Sequence, residues 1–102
     1  MRIIAIEVEK PGLNKRDFVP HLRDEAKQGW ELYKEGFIRE MYFRDDKPEA
    51  VLILEAKDVD RAKKKLSTLP LVKNGLITFE LIPLKPYYGF ERLFGNDGKK
   101  SV

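Results

Sequence analysis

Three polar residues with chemical potential lie on a segment that is otherwise apolar: Arg39, Glu40 and Tyr42. Arg39 could hold a ligand carboxylate through two parallel hydrogen bonds. Glu40 and Tyr42 are two positions apart, so on a strand they share a face and could act on one substrate as an acid/base pair. An equally open interpretation is that the segment is an edge strand whose charges prevent sheet-to-sheet aggregation.

The chain has one histidine, His21, and Glu25 follows it by one helical turn. Residues four apart share a helix face, so Glu25 could orient the imidazole of a general base. The alternative, an ordinary histidine at the surface or at the rim of a site, is the more common situation. Because the chain has one histidine and no cysteine, the sequence predicts no metal site.

Hydrophobic periodicity predicts four strands and two helices that would position these groups. The strands are predicted at residues 2–9, 37–44, 50–56 and 76–84. The first helix is predicted to begin at Asn14 or Asp17 and to end near Glu35, and the second to follow the cap residue Asp58. The first helix should bury an apolar stripe at helical spacing, comprising Phe18, Leu22, Ala26, Trp30 and Tyr33.

The order of these elements, βαββαβ, is that of the ferredoxin-like α+β fold with a four-stranded antiparallel sheet. The two strands that should be central are apolar on both faces, whereas two helices can cover only one face. An uncovered apolar face of this kind indicates an interface. The sequence therefore predicts a homodimer, or a larger homo-oligomer built from dimers, in which two sheets face each other as a dimeric α+β barrel.

Two acidic residues are expected on the face that the helices leave uncovered. Glu7 continues the face of Ile3 and Ala5, and Glu55 continues the face of Val51 and Ile53. These carboxylates could serve a small-molecule ligand, or they could pair with each other near the rim of the barrel. After the last strand comes an aromatic segment, residues 87–94, which we expect to lie over the partner subunit and close the end of the barrel.

Length and composition limit the other classes of function. The chain has 102 residues, which suits one domain over residues 1–95 with a polar tail at 96–102. The lack of cysteine favours a reducing compartment, so we expect a cytoplasmic protein, and no apolar run is long enough to cross a membrane. The net charge of +3 is spread over both signs, and the central strands lack aromatic residues, so no nucleic-acid partner is predicted.

Several short segments together carry a resemblance to a known family. They are the run Leu66 to Leu71 before the last strand, Trp30, residues 36–40, the Asp45/Asp46 turn and residues 87–94. On these segments the whole chain, apart from its polar tail, resembles the muconolactone isomerase-like proteins of the dimeric α+β barrel superfamily. The resemblance implies a cofactor-independent isomerase that moves a proton in a small unsaturated lactone. Residues 87–94 resemble a group of uncharacterised members of the superfamily and differ from the pattern of the isomerases themselves.

The leading hypothesis is thus an isomerase-like enzyme for a small unsaturated lactone or a related anionic metabolite. Glu40 or His21 would transfer the proton, and Arg39, Tyr42 and Glu55 would bind the ligand. The alternatives are a non-catalytic oligomeric protein for small-molecule binding or assembly, and a cofactor-free monooxygenase of the same superfamily. A cavity in which polar groups converge would favour an enzyme.

Overall fold

The computed structural model describes residues 1–95, so the prediction of a flexible tail at residues 96–102 lies outside the described residues. In chain order the elements are β1 (Arg2–Glu9), α1 (Lys15–Phe18), a 3₁₀ turn (Val19–His21), α2 (Leu22–Lys34), β2 (Ile38–Phe43), β3 (Ala50–Glu55), α3 (Val59–Leu66), α4 (Pro70–Lys73), β4 (Ile77–Pro83) and a second 3₁₀ turn (Gly89–Leu93). Each predicted strand is confirmed to within one residue at either end.

The four strands form one antiparallel sheet in the order β2-β3-β1-β4. The two apolar strands, β1 and β3, are central, and β2 and β4 are the edges. This arrangement confirms the ferredoxin-like α+β fold that the order of the elements predicts.

One face of the sheet packs against the helices and carries the core. Ile3 lies opposite Leu54, and Ala5 lies opposite Leu52. All four side chains are buried, together with Leu32 of α2 and with Ala62 and Leu66 of α3. Glu7 follows Ile3 and Ala5 in the alternation of β1, so it lies on this covered face. The expectation that Glu7 lies on the uncovered face was therefore wrong, because the register pairs its face with Leu52 and Leu54.

The other face of the sheet, here called the open face, has no helix over it. It presents Ile4 and Ile6 of β1, which lie opposite Ile53 and Val51 of β3. These four side chains are only partly buried. Glu55 lies on this face, as expected, opposite Arg2.

The segment predicted as the first helix is interrupted. Asn14 caps α1: its side chain accepts from the Arg16 N–H, and the Asp17 carboxylate accepts from the Asn14 N–H. The chain then tightens into a 3₁₀ turn that contains Pro20, which has no N–H to donate, before α2 begins.

Within α2 the predicted apolar stripe is not the buried one: Leu22, Ala26, Trp30 and Tyr33 are all exposed. The buried residues of α2 are Gly29 and Leu32. Trp30 is 57% exposed and stacks on Tyr33, which is also exposed, with ring centroids 5.6 Å apart. The stripe that faces the sheet runs through Glu25, Gly29 and Leu32, one residue earlier than the predicted Ala26, Trp30 and Tyr33.

Candidate functional site

A cavity of about 750 Å³ lies between the helices and the covered face of the sheet. Its wall is mostly apolar, with contributions from Leu22 and Ala26 in the helical layer and from Leu52 and Phe79 in the sheet. A cleft of this volume with few polar groups is typical of a small-molecule site. β2 contributes only apolar side chains to the wall, namely Ile38, Met41 and Phe43.

Three glutamates line this cavity, namely Glu7 and Glu9 of β1 and Glu25 of α2. Glu7 and Glu25 are the two whose pKa is raised by burial. Glu7 takes the next inward position after Ala5 in the alternation of β1 and is only 7% exposed. Glu25 lies four residues before Gly29, on the stripe of α2 that faces the sheet. Strand alternation and helical spacing thus bring together two acidic residues that are 18 positions apart in the sequence.

The Glu7 carboxylate is held by the backbone of β3. Its Oε1 accepts a hydrogen bond from the Ala50 N–H at 2.9 Å. Burial raises the pKa of Glu7 above its ordinary value; the Ala50 hydrogen bond partly offsets this, and the charges of Glu9, Glu49 and Glu25 add to the increase. The side chain is therefore suited to hold a proton at a higher pH than a surface glutamate does.

The Glu25 carboxylate is held by the start of α4. Its Oε1 accepts a hydrogen bond from the Leu71 N–H at 2.9 Å. Burial raises the pKa of Glu25, while the Leu71 hydrogen bond and the charge of His21 lower it. Two carboxyl groups with raised pKa values in an apolar cavity form an arrangement that can accept and return a proton.

His21, one of the two residues predicted to transfer a proton, lies in the first 3₁₀ turn and is half-buried. It is not among the residues that line the cavity. It lies close enough to Glu25 for its charge to lower the pKa of that carboxyl group. The two groups therefore lie near each other and the carboxylate is the one that faces the cavity, while the orientation of the imidazole by Glu25 stays a prediction.

Glu40 and Tyr42 lie on the other side of the sheet, on the open face, opposite Ile53 and Val51. The Tyr42 hydroxyl donates to Glu40 Oε1 at 2.5 Å. This hydrogen bond, and then the charge of Glu40, raise the pKa of Tyr42. The two residues share a face as predicted, whereas the sheet separates both of them from His21 in the same chain.

Arg39 and Glu55 lie beside this pair, along the wall of a shallow depression. Arg39 occupies an irregularity in the β2–β3 pairing and donates from Nε to the Gly36 carbonyl oxygen at 2.8 Å. Glu55 accepts from the N-terminal ammonium group at 2.7 Å, and this bond lowers its pKa; the charges of Arg2 and Arg39 act in the same direction. Both predicted ligand-binding residues are thus engaged with their own chain.

The sequence analysis did not identify Glu7 or Glu25 as a proton-transfer residue. Glu25 was expected only to orient His21, and Glu7 only to bind a ligand or to pair with Glu55. The signal that could have revealed Glu7 is a charged residue at a position where alternation demands a buried one, directly after Ile3 and Ala5. For Glu25 the signal is its place on the stripe through Gly29 and Leu32. Both signals depend on knowing which face is covered.

Within residues 1–95, no group of three or more His, Cys, Asp or Glu side chains is placed to hold a metal ion. In the same part of the chain, no helix has the length and apolar character needed to cross a membrane.

Comparison with known proteins adds one result. No family model matches the chain, and no curated protein matches it. Among solved structures it is similar to the 5-chloro-2-hydroxyhydroquinone dehydrochlorinase of Burkholderia phenoliruptrix, determined in complex with 2,5-dihydroxybenzoquinone. The TM-score is 0.65 at 18% sequence identity, and the match covers 83% of this chain and 94% of that chain. At this identity the likeness shows a shared fold.

Proposed function

We propose that the protein is a cofactor-independent proton-transfer enzyme, an isomerase of the muconolactone type, that acts on a small unsaturated cyclic compound in the cavity between the helices and the sheet. The observation that carries the proposal is the pair of buried carboxylates, Glu7 and Glu25, in an apolar wall. Burial disfavours the ionised form of a carboxyl group, so buried carboxyl groups with a shifted pKa are found most often at functional sites.

The environments of the two carboxyl groups suggest different roles. The charge of His21 favours the ionised form of Glu25, which suits a general base. The charges of Glu9, Glu49 and Glu25 favour the protonated form of Glu7, which suits a general acid. Glu25 would remove a proton from a ring carbon next to a carbonyl group, and the electrons of the broken C–H bond would form an enolate. Glu7 would give a proton to a more distant carbon of the conjugated system, so the reaction is neutral in protons overall.

The wall of the cavity also suggests how the ligand would lie. Among the described residues that line it, Lys15 is the one cation, and it is exposed. A carboxylate on the ligand would therefore lie towards Lys15, and the neutral ring would lie towards the buried carboxyl groups. The structurally similar dehydrochlorinase was determined with a six-membered quinone ring, which is a ligand of comparable size and also supports a ring-sized substrate.

The test is proton exchange with solvent. Muconolactone is incubated with the protein in D₂O, and deuterium incorporation and isomer formation are followed by NMR. We expect exchange with the wild type and a loss of about 100-fold or more with Glu25→Gln, the usual contribution of a general base. Glu31→Gln is the matched control, because Glu31 lies on the exposed side of α2 and pairs with Lys34.

Other outcomes would separate the remaining functions. Binding of the lactone without exchange would favour a non-catalytic binding protein, and oxygen consumption with a polyphenol would favour a monooxygenase. Exchange that survives Glu25→Gln and Glu7→Gln would exclude the cavity as the reaction site.

A second location for the same reaction is the Glu40–Tyr42 pair, with Arg39 and Glu55 as ligand-binding residues. The observation that favours it is the 2.5 Å hydrogen bond between Tyr42 and Glu40. This site would be enclosed only if a partner subunit covered the open face. Loss of exchange in Glu40→Gln, with activity retained in Glu25→Gln, would favour the open face over the cavity.

A further inference from the structure

The residues after β4 form a segment that its own chain leaves exposed. The last backbone hydrogen bond between β4 and β1 runs from the Leu84 N–H to the Arg2 carbonyl oxygen. Residues 85–95 follow and are here called the C-terminal arm. Four large apolar side chains of the arm are between 68% and 75% exposed: Tyr87, Phe90, Leu93 and Phe94. Such a concentration of exposed apolar groups is typical of an interaction surface.

The arm has a defined local shape. Residues Gly89–Leu93 form a 3₁₀ turn. The Tyr87 and Phe90 rings meet edge to face, with centroids 5.1 Å apart. A side chain at position 89 would overlap the Tyr87 ring, so glycine there allows the ring to fold over the turn. The arm therefore presents a preformed apolar side, which lowers the entropy cost of docking.

The opening of the cavity, here called the mouth, is lined by apolar side chains that its own chain leaves exposed. Val19, Leu22 and Phe43 line the cavity and are 62%, 48% and 78% exposed. These exposed apolar side chains mark the side on which the cavity opens to solvent. Proton transfer to and from carbon benefits when water is excluded, so this site is incomplete in a single chain.

The arm starts far from the mouth of its own chain. It leaves the sheet beside Arg2, whereas the mouth residue Phe43 is paired with Ala50 near the other end of the strands. Val51 pairs with Ile6, so Ala50 lies five residues along β1 from Arg2, a separation of about 17 Å along the strands. The arm also follows the edge strand β4, whereas the mouth lies at the opposite edge, β2. Its natural target is thus the mouth of a different molecule.

We propose that the C-terminal arm of a second copy of this chain packs across the mouth of the cavity, against Val19, Leu22 and Phe43, and completes the site. Four side chains of this size expose on the order of 500 Å² per arm. Two symmetric arms, with the surfaces they cover, bury on the order of 2,000 Å², which is enough for a stable dimer. The inference rests on the cavity being the site of the proposed function, and it goes beyond that function by assigning part of the site to the partner.

The contact can be tested by cross-linking, because the chain has no cysteine. Phe43→Cys protein is mixed with Tyr87→Cys, Phe90→Cys or Phe94→Cys protein under mild oxidation, and disulfide-linked peptides are identified by mass spectrometry. We expect a mixed covalent dimer with at least one of the three arm variants, since a disulfide requires Cα atoms within roughly 7 Å. Lys64→Cys, on the exposed side of α3, is the control and should give no mixed dimer.

Two results would overturn the proposal. One is the absence of a mixed dimer with all three arm variants. The other is a disulfide that forms within single chains carrying both Phe43→Cys and Phe90→Cys, which would show that the arm folds onto its own mouth. Neither result depends on catalytic activity, so failure of the contact is distinguishable from failure of the proposed reaction.

A second measurement reads the closure itself. The Ala50 and Leu71 amides donate to Glu7 and Glu25, so their hydrogen exchange reports access of water to the cavity. We expect the double variant Phe90→Ala/Phe94→Ala to raise these exchange rates by about tenfold. The polar control Lys85→Ala/Arg92→Ala should leave them unchanged. Unchanged rates in the aromatic variant would contradict the closure.

Discussion

At the scale of single residues, the feature that matters most is a carboxyl group that stays buried at a cost to stability. The pKa of Glu7 is raised in the folded protein, so the folded state holds this proton more tightly than the unfolded chain does. Its contribution to stability is therefore fully present below the ordinary value of 4.5 and is lost as the pH rises through the raised value. A carboxyl group whose burial weakens the fold near neutral pH is typical of a site kept for function.

This linkage makes a prediction for Glu7→Gln. Glutamine has no charge, and its side-chain oxygen can still accept from the Ala50 N–H. We expect the variant to melt higher than the wild type at pH 7, by about 4 °C if roughly 1 kcal/mol is recovered in a domain of this size. The difference should shrink as the pH falls towards 4, because the carboxyl group is then neutral in both the folded and the unfolded wild type.

The measurement is thermal unfolding followed by circular dichroism from pH 4 to pH 8. Glu31→Gln, a change at an exposed surface pair, should differ little from the wild type at every pH. A Glu7→Gln variant that is less stable than the wild type at pH 7 would show that burial of the Glu7 carboxyl group does not lower the stability of the fold.

At the scale of elements, local sequence signals decide where helices begin. Asp58 is the N-cap of α3: its carboxylate accepts from the Arg61 N–H at 2.8 Å and pairs with the Arg61 guanidinium group at 2.7 Å. We expect Asp58→Ala to lower the free energy of unfolding by about 1 kcal/mol, as the loss of a helix cap usually does. Asp58→Asn keeps a capping oxygen and should recover most of this loss.

Chemical denaturation of the three proteins checks this prediction. Equal losses in Asp58→Ala and Asp58→Asn would assign the effect to the ion pair with Arg61 and not to the cap.

The elements also show how far the sequence could predict the structure. The strands were predicted to within a residue, because alternation is strong in β1 and β3 and turn residues bound each strand. The sequence did not predict which face of the sheet the helices cover, because β1 and β3 are apolar on both faces. Glu7 was therefore assigned to the wrong face. Trp30 and Tyr33 were predicted to be buried, but the residues just before them, Gly29 and Leu32, are buried instead. Both sets have helical spacing, so spacing alone could not decide between them.

At the scale of the whole molecule, the main feature is the open face, whose apolar side chains are not covered by the helices. Ile4, Ile6, Val51 and Ile53 lie there without cover from the helices of their own chain. The homodimer predicted from the sequence would bury them, and we retain it as a proposal. In such a dimer the Glu40–Tyr42 pair of each chain would lie at or near the interface.

A single charge on the open face tests this assembly. We expect Ile53→Glu to shift the protein from dimer to monomer in sedimentation velocity, because burying an unpaired carboxylate in an interface is costly. Lys64→Glu, on the exposed side of α3, should leave the sedimentation coefficient unchanged. A wild-type protein that sediments as a monomer at micromolar concentration would exclude both the interface and the proposed contribution of the C-terminal arm.

The candidate site could be anticipated from the sequence only in its general chemistry. A small-molecule site with acid/base carboxylates was expected, and Glu40 and Tyr42 were chosen because their spacing places them on one strand face. The cavity that the structure contains depends on packing between β1, α2 and the 3₁₀ turn, and no local pattern reports the space left between packed elements.

The most direct test of the cavity as the functional site is to map where muconolactone binds. In a ¹⁵N NMR titration we expect the largest shifts at the Ala50 and Leu71 amides, which donate to Glu7 and Glu25, and small shifts at Glu40 and Tyr42. The shifts at Ala50 and Leu71 should weaken in a Leu52→Phe variant, which fills the cavity wall. Shifts centred on Glu40 and Tyr42, with Ala50 and Leu71 unmoved, would contradict the cavity and place the ligand on the open face.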